Sequence, residues 1–152
     1  MICHGSFKMK TISLLYILNA TLIILHEIES AYEKEWEILK LPGKITGFLL
    51  LHIPIIILIF YGLIEIEKNS KIGLIFGIAM GISGLIPFFV HKIIVRKPEH
   101  FNLKISNIII YSNILTGVSL LFFSSRFFIW QSIALLQWDE LLSLPLDSSI
   151  NI

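Results

Sequence analysis

Cysteine occurs once in the 152-residue chain, as Cys3. A single thiol excludes an intramolecular disulfide framework and any multi-cysteine zinc or iron–sulfur site. Charge is scarce as well: 15% of the residues are Asp, Glu, Lys or Arg, against about 25% in an average soluble domain. Twelve basic and eleven acidic residues leave a net charge of +1 with histidine neutral. That balance supplies no basic field for nucleic acid and no polybasic lipid-binding tail. A small-residue cleavage site is missing after the first apolar run, which ends in His26-Glu27-Ile28-Glu29. The run therefore reads as a retained segment rather than a removed signal peptide. No inverted repeat suggests a transporter path.

Apolar surface is what the chain has in abundance: 55% of its residues are hydrophobic and its mean hydropathy is +0.83. That is too much for a solvated, disordered chain. Four stretches contain no Asp, Glu, Lys or Arg: residues 11–25 (extended by His26), 45–64, 72–90 and 105–125. About 20 apolar residues make a helix that crosses ~30 Å of hydrocarbon, and these continuous runs lack the alternation of barrel strands. The expected fold is all-α, a polytopic membrane protein whose four-transmembrane-helix bundle occupies residues 1–123, with spans near 11–28, 45–66, 72–91 and 105–124. An unbroken rod from residue 105 to 142 would reach ~57 Å. A break near Ser124-Ser125-Arg126 is therefore expected, followed by an interfacial helix or a short fifth span over 126–142 and a tail over 143–152. Trp130 and Trp138 suit the headgroup region.

Basic residues give the orientation. Lys34, Lys40, Lys44, Lys92, Arg96, Lys97 and Lys104 lie on the side of the first and third loops, and Lys8, Lys10, Lys68, Lys71 and Arg126 on the other. The positive-inside rule then places the first and third loops in the cytoplasm of a multi-pass protein of the inner or plasma membrane.

Polar residues are unevenly shared between the two ends. The end of span one, the start of span two, the end of span three and the start of span four lie together, and they carry His26, Glu27, Glu29, His52, His91, His100, Asn107 and Asn113. The opposite end carries Glu65 and Glu67. Ionisable groups in a bilayer are costly, face the bundle or a wet cavity, and point to function. At ~100° per residue, Asn19 and His26 share one face and Glu29 reaches the His26 ring from i+3. Such a pair serves as metal ligands or as an oriented acid/base; the alternative is a helix-end cluster that meets water. His52 is the only residue of its run that ionises near neutral pH, and Pro54 leaves the Leu50 carbonyl without its helical donor. Equally, a neutral His52 can donate to a backbone carbonyl. His91 falls in the same arc as Gly73, Gly77, Gly81 and Gly84, facing the bundle, with Pro87 as a kink.

His26, Glu29, His52 and His91 are thus the candidate catalytic residues and the candidate ligands of a divalent metal such as Zn²⁺. A metal there would activate water or polarise a lipid-like substrate; without one, the same groups would relay protons. Gly73, Gly77 and Gly81 have small-xxx-small spacing. They support a different reading, a structural or interaction protein that uses this stripe for homo-oligomers or a membrane partner. Asn113 shares a face with Ser106, Gly117 and Ser124 and reads as a bridge between helices. Glu29, Glu33 and Glu37 repeat opposite Trp36, Leu39 and Leu41, as if the first helix continued along the membrane surface up to the Pro42-Gly43 turn.

The stretch His26-Glu27-Ile28-Glu29, then Ala31-Tyr32, Glu35-Trp36-Glu37, Leu41-Pro42-Gly43 and His52-Ile53-Pro54 resembles a small bacterial family of integral membrane proteins of unknown function. The resemblance covers about residues 11–120, is most specific over 25–54, and implies a four-helix membrane domain with no established activity. His26-x-x-Glu29 is also similar to the opening of the HxxEE membrane family, with Ser30 where the second glutamate would stand.

Overall fold

The computed structural model describes residues 3–91 and 104–143, with side chains described over 10–91 and 104–137. Among the described residues six helices follow in order: α1 (Cys3–Tyr32), α2 (Glu35–Ile38), α3 (Lys44–Glu67), α4 (Lys71–Ser83), α5 (Ile86–Phe89) and α6 (Lys104–Ser143). No strand occurs among the described residues. Four helical segments, Lys10–Tyr32, Lys44–Glu67, Lys71–Phe89 and Lys104–Gln137, are long and apolar enough to cross a membrane.

The core is a seam written at heptad spacing. Buried positions on α1 are Ile12, Tyr16, Asn19, Ile23, His26 and Ser30; on α6 they are Ser106, Ile110, Asn113, Gly117, Leu120 and Ser124. Both series step by four and three residues, which keeps one stripe of each helix against its neighbour. α4 supplies the third surface through its glycines. A Cβ on Gly81 would lie 2.8 Å from the Gly117 carbonyl oxygen and 2.9 Å from the Leu121 nitrogen, and one on Gly73 would run into the Glu65–Ile66 backbone of α3. Gly77 abuts Ser124. The Gly73/Gly77/Gly81 stripe is therefore packed against α3 and α6 of the same chain. α3 is the most peripheral helix, held to α1 by the Tyr16 hydroxyl, which donates to the Ile59 carbonyl at 3.0 Å.

Asn19 ties the three central helices together. Its Nδ2 donates to the Met80 carbonyl of α4 at 2.8 Å, and its Oδ1 accepts from the Thr116 hydroxyl of α6 at 2.9 Å. Asn113 does not bridge helices as its position in the sequence suggests. Its side chain is fully buried, and both amide atoms lack a hydrogen-bond partner.

Helix ends show where local chemistry prevails. Pro87, at the start of α5, has no N–H for the Ser83 carbonyl, and α4 stops at Ser83. The expected kink is thus an interruption, with Gly84 and Leu85 between the two helices. At the opposite end of the bundle Ser70 caps α4, accepting from the Gly73 N–H at 2.9 Å while its hydroxyl donates to Glu65 Oε2 at 2.7 Å. Lys68 also donates to Glu65 at 2.8 Å, and that hydrogen bond holds the ammonium above its ordinary pKa.

Two expectations are corrected. α6 runs through Ser124, Ser125 and Arg126 without the expected break, as one 40-residue helix, because serine and arginine side chains do not interrupt a backbone ladder that Gly or Pro would weaken. The first helix does not continue past Tyr32 along a surface. Lys34 takes left-handed angles (φ 56, ψ 42), the chain turns, and the single turn of α2 folds over the bundle end with Glu35 and Trp36 buried. Trp36 packs on Phe48 of α3 at 5.8 Å between ring centroids.

Candidate metal centre

Antiparallel packing of consecutive long helices brings the end of α1, the start of α3, the end of α5 and the start of α6 to one end of the molecule. His26 sits two turns before the end of α1, on its buried seam. His91 follows α5 in a wider, π-type turn through Val90 and His91. The two rings meet edge to face, centroids 4.9 Å apart at 85°, with their Nε2 atoms 3.2 Å from each other. Glu35 Oε1 approaches His91 Nε2 to 3.8 Å. One ligand atom each from His26, Glu35 and His91 lies within 4.8 Å of the others, and all three residues are buried.

Glu29 lies on the other side of His26, its Oε2 3.8 Å from Nδ1. The i+3 neighbour expected from the sequence is therefore present, but behind the imidazole rather than among the converging atoms. Glu29 also faces the Ser106 hydroxyl of α6. His52 belongs to a separate pair. Its Nδ1 is 2.7 Å from the Phe48 carbonyl and its Nε2 is 2.8 Å from Glu27 Oε2. A carbonyl only accepts, so Nδ1 carries a proton. The short Nε2–Oε2 contact then shares one further proton, held either by Glu27 or by His52. The structure thus joins His26 to His91, leaves Glu29 behind His26, and pairs His52 with Glu27.

Glu35 is the residue that sequence reasoning missed. On an unbroken helix it lies nine residues beyond His26, about 180° out of phase, which assigns it to the opposite face. The left-handed turn at Lys34 removes that constraint and returns the carboxylate to the bundle. Glu35 is 5% exposed, and a carboxylate is almost never buried to that degree unless paired. His100, Lys92, Arg96 and Lys97 lie outside the described residues.

Fold and site together define an all-helical protein in which four helices long and apolar enough to cross a membrane gather two histidines and their carboxylates at one end. The chain belongs to the family of unknown function DUF6713, whose family model matches residues 12–127. That match spans the motif-bearing stretch from His26 to Pro54. No curated protein and no solved structure matches the chain significantly.

Proposed function

We propose that this chain is a multi-pass protein of the inner or plasma membrane that binds one divalent metal ion, such as Zn²⁺, through His26, His91 and Glu35. The convergence of three buried donor atoms from three separate elements carries the reading. Zinc bonds to nitrogen and oxygen at about 2.0–2.2 Å imply edges of about 3.4 Å between tetrahedral ligands. The 3.2 Å and 3.8 Å separations lie close to that figure, and the remaining edge, within 4.8 Å, shortens to it when the Glu35 carboxylate swings toward His26. Charge supports the same reading: Glu35 and Glu29 together offset the two positive charges of such an ion in a region where uncompensated charge is costly.

Three protein ligands leave a fourth position open, the pattern of catalytic rather than structural zinc. An ion bound there supplies Lewis acidity and an acidified water. The Glu27–His52 pair holds an exchangeable proton at the same end of the bundle and is the group suited to proton transfer. Lipid-facing helices around the site favour a lipid-like substrate. The positive-inside rule places this end, with the first and third loops, at the cytoplasmic face.

The test is metal analysis of detergent-purified protein. We expect about one zinc per chain in the wild type and its loss in His26→Ala, His91→Ala and Glu35→Ala, with retention in His52→Ala. Metal at background in the wild type would refute the proposal.

A further inference from the structure

Glu29 is left over once Glu35 is placed with the two histidines. Its Oε2 and the His26 Nδ1 are both buried, lie 3.8 Å apart, and have no hydrogen-bond partner within bonding distance. They belong to adjacent turns of α1, so their separation is set by helix geometry and a small carboxylate rotation closes it. On the opposite edge of the same ring, Nε2 faces His91 Nε2, which Glu35 also approaches.

An imidazole has one proton when neutral, and its position decides which nitrogen can bind a cation. A carboxylate at Nδ1 fixes the proton there and leaves the Nε2 lone pair facing the site. In the metal-free protein His91 then donates its Nε2–H to His26. When the ion is bound, His91 carries its proton on Nδ1 instead. Carboxylates in this outer position are a recurrent feature of histidine metal sites, and they raise ligand basicity as well as fixing the ring.

We infer that Glu29 is a positioning residue, the outer-sphere carboxylate that holds His26 in its Nδ1–H tautomer and presents Nε2 to the site, rather than a ligand. This inference rests on the proposed metal centre and reassigns one of the four residues expected from the sequence. Ser106 faces Glu29 from α6.

The experiment combines affinity, coordination and tautomer readouts on full-length protein in detergent. Glu29→Ala should weaken Zn²⁺ binding by about 10–100-fold, and Glu29→Gln, which keeps an acceptor oxygen, should recover part of that loss. Co²⁺ substituted into Glu29→Ala should give the wild-type d–d absorption, whereas Glu35→Ala should shift it. Unchanged affinity in Glu29→Ala, or a shifted Co²⁺ spectrum in that variant, would overturn the assignment. ¹⁵N chemical shifts of the His26 ring in metal-free protein separate this question from the metal reading. We expect Nδ1–H in the wild type and a mixture of tautomers in Glu29→Ala. If the wild type binds no metal, that shift still decides whether Glu29 orients His26, and an unaltered His26 tautomer in Glu29→Ala would end the proposal.

Discussion

The Nε2 atoms of His26 and His91, 65 residues apart in the chain, face each other across 3.2 Å inside the helical bundle. Two imidazoles at that separation either share a proton or share a cation. In both cases the lone pair of at least one ring is directed at the other, and Glu35 is close enough to join them.

If they share a cation, binding must fall with pH. Both rings have to be deprotonated to act as ligands, so protons compete with the ion. Zinc affinity is expected to be flat at mildly alkaline pH and to fall on acidification, by up to ~100-fold per pH unit once both rings take up protons, since two protons then compete with one ion. Equilibrium binding followed from about pH 8 down to the acid limit of the folded protein checks the slope. Affinity independent of pH across that interval would mean that the histidines are not ligands.

Asn19 should be a stability residue. Asn19→Leu removes the hydrogen bonds to the Met80 carbonyl and from Thr116, and we expect a loss of ~1–2 kcal/mol in detergent unfolding. A double-mutant cycle with Thr116→Val should return a coupling of ~0.6 kcal/mol, the average for hydrogen bonds between membrane helices. Zero coupling would contradict the contact.

Asn113→Leu should behave in the opposite way. The wild-type amide is fully buried with neither atom bonded, and removing an unsatisfied group is neutral or stabilising when the volume is kept. The expected change in melting temperature is zero or upward. A marked fall would show that the amide has a partner, such as an internal water.

Gly81→Ala should destabilise more than Gly77→Ala. The added methyl at 81 meets the Gly117 and Leu121 backbone of α6, whereas at 77 it meets chiefly the Ser124 and Leu120 side chains, which rotate. Overpacking against a backbone costs ~1–3 kcal/mol, so Gly81→Ala should lower the unfolding free energy by that amount. Equal effects at the two positions would argue against the close α4–α6 approach.

Much of this protein is legible from helical phase. The four apolar runs correspond to the four long helical segments, Asn19 and His26 share the buried stripe, Glu29 lies beside the His26 ring, and His91 turns inward as its spacing from the glycines implies. Each of these depends only on residues within a few turns of one another, where 3.6-residue periodicity fixes direction.

What tertiary structure decided are the contacts that periodicity cannot carry across a break. A left-handed residue at Lys34 returns Glu35 to the histidines, and phase counted through that turn has no meaning. The pairing of His52 with Glu27 and the bridging role of Asn19 rather than Asn113 follow from which helices approach closely, which the glycines of α4 set against α3 and α6. The sequence alone determined the helices and the faces they bury. Their long-range packing determined which polar atoms meet, because a side chain's partner on another helix is chosen by the distance between backbones and not by its own position along the chain.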